Sequence, residues 1–196
     1  MKKIHVLILA VALLALTGAD CFLTSAQVLA TFDLPNPVAI DAQDNFEIIP
    51  VDLTTIDEYN DNKDKLKGLT DVAVLGTFVN LGSAASPPGV DLPGEVTIYI
   101  TPGPPTFVPS ITTIVANAQR LWGPAAIGAP GTPEGTVTLG WDESAALFDN
   151  TGKDMLIDEG LGDGEFTLYS IGTGVGAQYA IDINDGFLVL VLDAGQ

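Results

Sequence analysis

The chain has 196 residues, with 25 acidic side chains against seven basic ones and a formal net charge of −18. That much negative charge repels phosphate backbones and anionic headgroups, which argues against nucleic-acid binding and for cations or basic partners. Apolar residues make up 47% of the chain, so a packed core is expected rather than a disordered polyanion.

In chain order, the first segment reads as a leader. Lys2 and Lys3 precede eleven uncharged residues, Val6 to Leu16, and small residues follow at Thr17, Gly18 and Ala19. This is the pattern of a secretory signal peptide. A bilayer core takes ~20 apolar residues, so the run is too short to span it. No later stretch is long and apolar enough to cross a membrane. Residues 1–26 are therefore expected to be a signal peptide and residues 27–196 one β-sandwich domain. Cleavage is expected after Ala19 or Ala26, or before Cys21. The segment Leu16 to Cys21 resembles a bacterial lipoprotein signal, in which the cysteine is acylated and becomes the new N-terminus. Asp20 departs from the small residue that such signals carry at that place. Cys21 is the one cysteine, so no internal disulfide is open to it; lipid attachment is its candidate role, and cleavage after Ala26 discards it. Either route places the protein outside the bacterial cytoplasm, extracellular, periplasmic or associated with the outer membrane.

Removal of the leader takes His5, the one histidine. It also takes Lys2 and Lys3 and, with cleavage after Ala26, Asp20, which then leaves the charge one unit more negative. Without imidazole there is no Ser-His-Asp or Cys-His arrangement, and no histidine-ligated zinc or iron. Paired carboxylates could still hydrolyse glycosides, but among so many acids two face one another by chance. A non-enzymatic role is the expectation.

The body of the chain alternates. Val28 to Leu34, Phe46 to Leu53, Val72 to Asn80, Glu95 to Thr101, Thr136 to Trp141 and Glu165 to Ile171 read as strands with one apolar side. In Glu95 to Thr101 the inward set is Val96, Ile98 and Ile100. In Thr136 to Trp141 it is Val137, Leu139 and Trp141. The apolar phase switches between Ile48 and Ile49, beside Pro50, which suggests a bulge or an edge strand. At the C-terminus, Asp185-Gly186 reads as a type I′ turn. It predicts a hairpin over Gln178 to Asp193, with Ile183 facing Leu188, Ile181 facing Leu190 and Tyr179 facing Leu192. The count is about eight strands. The expected fold is mainly β, a two-layer antiparallel β-sandwich, Ig-like or jelly-roll-like, with two or three short peripheral helices.

Those helices are predicted at three places. Ile56 to Lys67 follows a Thr55/Glu58 capping box and ends at Gly68, with Lys63, Lys65 and Lys67 complementing its dipole. Ile111 to Trp122 has helical spacing, although its β-branched start also suits a strand. Glu143 to Asp149 is short and follows Asp142. The Pro- and Gly-rich stretches Gly82 to Gly94 and Pro102 to Pro109 read as surface loops.

No cofactor is expected, and calcium is the one metal the inventory suits, since it takes carboxylate and carbonyl oxygens. Candidate ligands are Asp182, Asn184 and Asp185 around the expected turn, and Asp154 and Asp158 in the Gly-rich stretch Asp149 to Asp163. Neither set completes a calcium-loop motif, and Asp and Asn commonly serve turn geometry. Gly172 to Gly176 lacks the helix that a nucleotide loop needs and reads as a connection. Trp122, Trp141, Tyr99 and Tyr169 would suit a sugar platform. Periodicity puts Trp141 inward and the two tyrosines outward, and a structural role is preferred.

One segment carries a family resemblance. Val51 to Asn80 (VDLTTIDEYNDNKDKLKGLTDVAVLGTFVN) resembles part of uncharacterised bacterial exported lipoproteins and outer-envelope β-sandwich proteins, through its DL…Y…KDKLKGL.DV…V.N arrangement. The resemblance implies export and the sandwich, and it brings no catalytic residues. Together these readings lead to a non-enzymatic secreted or envelope-tethered module with a protein or glycan partner. The alternatives are a carboxylate-based glycan hydrolase or a calcium-dependent carbohydrate-binding module.

Overall fold

The structure, a computed structural model, describes residues 26–41, 44–82, 92–174 and 180–194. Residues 1–25 of the expected leader, with Cys21, lie outside the described residues, as do Gln178 and Tyr179 and most of the Gly82 to Gly94 loop. Nine strands are described: β1 (Ala26–Asp33), β2 (Val38–Ile40), β3 (Phe46–Asp52), β4 (Leu66–Gly82), β5 (Gly94–Pro102), β6 (Gln119–Ile127), β7 (Thr136–Leu139), β8 (Glu165–Gly174) and β9 (Ala180–Ala194). They form two antiparallel sheets. One runs β1-β9-β4-β7, with β2 pairing β9 as well; the other runs β3-β8-β5-β6. The chain crosses from sheet to sheet at β2–β3, β3–β4, β4–β5, β6–β7, β7–β8 and β8–β9. This strand order is the double Greek key of a jelly roll, a β-sandwich.

Alternation explains the core. Val96, Ile98 and Ile100 of β5 are buried as their period predicts, and they share one core cluster with Val72, Val74 and Phe78 of β4 and Leu188, Leu190 and Leu192 of β9. Trp122 of β6 stacks on Phe78 across the gap between sheets, ring centroids 5.6 Å apart. One core cluster draws residues from both sides of the Gly82 to Gly94 loop. β3 is an edge strand without a register shift, so the edge alternative holds for Pro50. Ile48 and Ile49 are both apolar because both faces of β3 are covered. Ile49 joins the main core and Ile48 a second cluster on the outer side.

The expected C-terminal hairpin does not form. β9 is one continuous strand of 15 residues at the centre of its sheet. Ile183 pairs with Val38 and Phe78, while Leu188 pairs with Phe32 and Val74. The positive φ expected of Asp185 is present, at 49°, but it serves a β-bulge. Asp185 and Gly186 together oppose Gly76 of β4. Gly76 has φ +154°, and a Cβ there would sit 3.1 Å from Ile183 Cγ2 and 3.2 Å from Gly186 Cα. On the other side of β9 the bulge matches the break between β1 and β2. The Asn36 amide donates to Asp185 Oδ1 (2.8 Å), and the Leu34 N–H donates to the Gly186 carbonyl (2.9 Å). A bulge and a two-residue turn share the same Asp-Gly chemistry. Partners on both flanks of β9 decide for the bulge.

The helix expected over Ile56 to Lys67 is also corrected. The segment breaks into a 3-10 turn (Leu53–Thr55), helix α1 (Asp57–Asn60) and a second 3-10 turn (Lys63–Lys65). Gly68 lies within β4. The Thr55 capping box gives way to Asp52, whose carboxylate accepts from the Thr54 N–H (2.9 Å). Burial of Tyr59 and pairing of β4 from Leu66 onward with β9 outweigh the helical signal.

Helix α2 (Ile111–Asn117) starts as expected, capped by Ser110 with Thr113. It ends before Trp122, which belongs to β6. The third predicted helix starts earlier, as α3 (Trp141–Ala145), so Asp142 lies inside it. The Gly-rich stretch after Asp149, for which no helix was expected, is helical. It is α4 (Asn150–Leu161), with Asp149 as N-cap. Gly152 permits this, because a Cβ there would strike the Arg120 carbonyl of β6. Four helices are thus described, one more than expected.

α3 carries Ser144, a fully buried side chain. Its hydroxyl accepts the Val74 N–H (2.8 Å) and donates to the Val74 carbonyl (2.7 Å). One side chain thus replaces a missing strand partner along β4, and the Ser144 carbonyl accepts the Trp122 indole N–H (3.0 Å). Buried backbone polar groups need such partners.

Candidate functional site

Strand polarity sorts the connections. β2–β3, β4–β5, β6–β7 and β8–β9 turn at one end, here called upper; β3–β4, β5–β6 and β7–β8 turn at the lower end, which carries all four helices. The lower end is tied together by hydrogen bonds between its connections. The Tyr59 hydroxyl donates to the Gly160 carbonyl (3.0 Å), Leu53 N–H to Gly164 (2.9 Å) and Gly103 N–H to Glu165 (3.1 Å).

Among the described residues, two clefts open on this side of the molecule. The first, about 420 Å³, lies between the ends of β3 and β8 and the start of the β5–β6 connection. Asp52 and Glu165 pair directly in register across it, with Gly103 and Pro104 as its other wall. Asp52 is already engaged: its Oδ1 accepts from both the N–H (2.9 Å) and the hydroxyl of Thr54 (2.5 Å). Glu165 is exposed to water. A glycosidase pair needs a carboxyl shielded from water so that it stays protonated as general acid. This pair has two open-sided carboxylates, one of them capping a turn. Alternation marked both positions as strand ends, but nothing in the sequence indicated that β3 and β8 pair.

The second cleft, about 430 Å³, is lined by Thr31, Asp33, Ile56, Asp57 and Glu58 among others. It is acidic, with its three carboxylates spread along two elements. Among the described residues no three His, Cys, Asp or Glu side chains converge closely enough to hold a metal.

The sequence-derived calcium candidates fall in two separate places. Asp182 and Asn184 share a face of β9, and Asp185 is drawn to Asn36 at the bulge. Asp154 and Asp158 lie one turn apart on the exposed side of α4. The structure does not bring the two sets together. The aromatic candidates are structural. Trp122 and Tyr169 are fully buried. Trp141 begins α3 and donates its indole N–H to Asp71 Oδ2 (2.8 Å). Tyr169 does point outward from its sheet, but α2 covers it, and Phe107 stacks on it with centroids 5.7 Å apart. Lys63 no longer complements a helix dipole. Its ammonium lies over the Tyr59 ring and donates to the Asp163 carbonyl (3.3 Å).

The surroundings of Glu159, Glu47 and Asp149 shift their carboxyl groups. Burial, then Asp163 and Asp158, push the Glu159 carboxyl up from its ordinary value; burial, then Asp41, do the same to Glu47. Asp149 moves the other way, held down first by its hydrogen bond from Arg120 (2.9 Å) and then by the N–H groups of Gly152 and Thr151. Burial, with Asp163 and Asp52 nearby, also raises the Tyr59 phenol.

Fold and clefts together define an acidic jelly-roll β-sandwich. No protein-family model and no curated protein matches the sequence. Among solved structures, a chain from desmodium yellow mottle tymovirus is similar at 11% sequence identity, over 92% of this chain and 95% of that one, with a TM-score of 0.25. A likeness at that level carries no argument about function.

Proposed function

We propose that the protein is an exported, non-enzymatic β-sandwich that acts as a structural or binding module at a bacterial envelope or outside the cell. One observation carries the reading: a closed apolar core wears a surface of carboxylates that, among the described residues, has a single ion pair, Arg120 with Asp149. Uncompensated surface charge of one sign favours encounter with cations or basic partners. The leader pattern of residues 1–19 supports export, and Cys21 leaves a lipid anchor as one form of tethering.

A second reading, a carboxylate-based glycan hydrolase, is favoured by one feature, the facing pair Asp52 and Glu165 in the first cleft. One experiment separates the two. The exported protein is incubated with purified insoluble envelope polysaccharide and with an envelope protein fraction, sedimented, and the supernatant assayed for new reducing ends. The module reading expects co-sedimentation that weakens as salt rises, with no reducing ends. Release of reducing ends that disappears in Glu165→Gln would instead establish the hydrolase. Absence of both binding and release would contradict the module.

A further inference from the structure

Each edge strand of a sheet leaves a row of backbone N–H and C=O groups that a folded protein must guard or use. The two sheets end in β3, β6, β7 and β1, with the short β2 beside β1. Most of these edges are guarded. β3 carries Pro50, which has no N–H to offer. β6 is bonded by the segment that leads into α4: the Gly123 N–H donates to the Leu147 carbonyl (3.0 Å), and the Asp149 N–H donates to the Leu121 carbonyl (2.9 Å). β7 and β2 are short, at four and three residues. β1 differs. It runs for eight residues, AQVLATFD, with neither Pro nor Lys.

Hydrogen-bond parity shows which groups of β1 are open. The Leu34 N–H donates to the Gly186 carbonyl (2.9 Å), and the register runs from Asp33 opposite Phe187 to Ala26 opposite Ala194 without a shift. Val28, Ala30 and Phe32 share the parity of Leu34 and so bond to β9. The N–H and C=O groups of Gln27, Leu29, Thr31 and Asp33 point the other way, where no described residue bonds to them.

Side chains at this edge also suit a neighbour. Val28 and Phe32 face the core yet are only half-buried. The second cleft, about 430 Å³, opens between the Thr31 to Asp33 end of β1 and residues 55–58. β9 contributes nothing to its lining, so it lies on the open side of β1. Asp33, Asp57 and Glu58 line it, and no basic side chain does among the described residues.

We propose that the open edge of β1 is a strand-addition site for an extended, lysine- or arginine-bearing peptide segment of a partner protein. The proposal rests on the module reading above and names its surface. The backbone groups supply a ladder, and alternate side chains give specificity. Apolar residues of the added strand would cover Val28 and Phe32. Cationic residues would share the outer face with Thr31 and Asp33 and meet the carboxylates of the cleft. Charge selects against a second copy of this chain, because two chains at −18 repel one another.

The test is fluorescence anisotropy of the exported protein with a labelled peptide that alternates Val and Lys. Saturable binding that weakens with salt is expected, with none for the peptide carrying Glu in place of Lys. Backbone methylation reads the edge directly. In the added strand the Lys N–H groups face β1 and the Val N–H groups face away. N-methylation of every Lys is therefore expected to abolish binding, and N-methylation of every Val to preserve it. Thr31→Pro removes an N–H that β9 does not use, and is expected to weaken binding at least about tenfold with cooperative unfolding kept. Asp57→Asn/Glu58→Gln is expected to weaken it several-fold and to flatten its salt dependence. Absence of binding, equal binding of the two methylated peptides, or full binding by Thr31→Pro would overturn the edge site. Salt-sensitive co-sedimentation with envelope protein would then still stand, and with it the module reading. A dimer of the protein alone that Thr31→Pro abolishes would also overturn the proposal, because a second copy would hold the edge.

Discussion

The outer faces of the two sheets make an instructive pair. On the β3-β8-β5-β6 sheet, α2 lies across the strands and buries Tyr169 and Ile171 beneath Ile114. On the β1-β9-β4-β7 sheet the corresponding face is covered only in part among the described residues, where Ala73 and Val189 are buried. Leu29 is 57% exposed there and Phe187 36%, beside the neighbouring Leu75 and Val191. Similar alternating strands therefore stand in two environments, and the difference lies in the connections. The β5–β6 connection is long enough to return as a capped helix over its own sheet. A residue on an outward phase is buried or bare according to what the chain does next.

The largest expected effect tests the covered face. Tyr169→Ala removes the side chain that anchors α2 and should cost about 3–5 kcal/mol in urea unfolding. Leu29→Ser on the partly covered face should change stability by less than about 0.5 kcal/mol. Equal costs would mean that both faces are buried in solution. Next comes the plug on β4: Ser144→Ala strands the Val74 N–H and carbonyl, and a loss of roughly 2–4 kcal/mol is expected. A loss below 1 kcal/mol would show that the edge of β4 finds another partner. Ser110→Ala should cost about 1 kcal/mol, since it removes only the cap of α2. If α2 were loosely held, that substitution would change nothing.

The smallest effect concerns pH. Glu47 and Glu159 have folded values raised above the ordinary 4.5. Between the unfolded and the folded value the native state holds more protons, so these two groups lower stability as pH rises through that window. Asp149 contributes in the opposite sense, adding stability that is lost as pH falls through its lowered value. Melting curves from pH 7 down to pH 4 should accordingly show a smaller decline for wild type than for Glu159→Gln, which lacks the compensating rise. Parallel curves would remove Glu159 from the account.

Much of the sandwich was legible from period alone. Val96, Ile98 and Ile100 point inward as their alternation requires, and the edge position of β3 is one of the two alternatives that Pro50 left open. What sequence could not reveal was pairing. Asp185-Gly186 carries hairpin chemistry, yet β1, β2 and β4 flank β9 on both sides and hold it straight through a bulge. No helix was expected over Asp149 to Asp163, because its glycines obscure a helix that needs Gly152 to approach β6. Glu47 and Ser170 gave no signal of their pairing, because they meet only when β3 pairs with β8. Asp52 and Glu165 were hidden for the same reason.

The whole arrangement depends on β9 running unbroken through Asp185 and Gly186, and nuclear Overhauser contacts of Leu188 test this most directly. A continuous strand predicts backbone contacts from Leu188 to Phe32 and Val74, and from Ile183 to Val38 and Phe78. It predicts none between Ile183 and Leu188, which lie roughly 15 Å apart along an extended chain. A strong Ile183–Leu188 cross-strand contact would restore the hairpin and contradict the jelly-roll order.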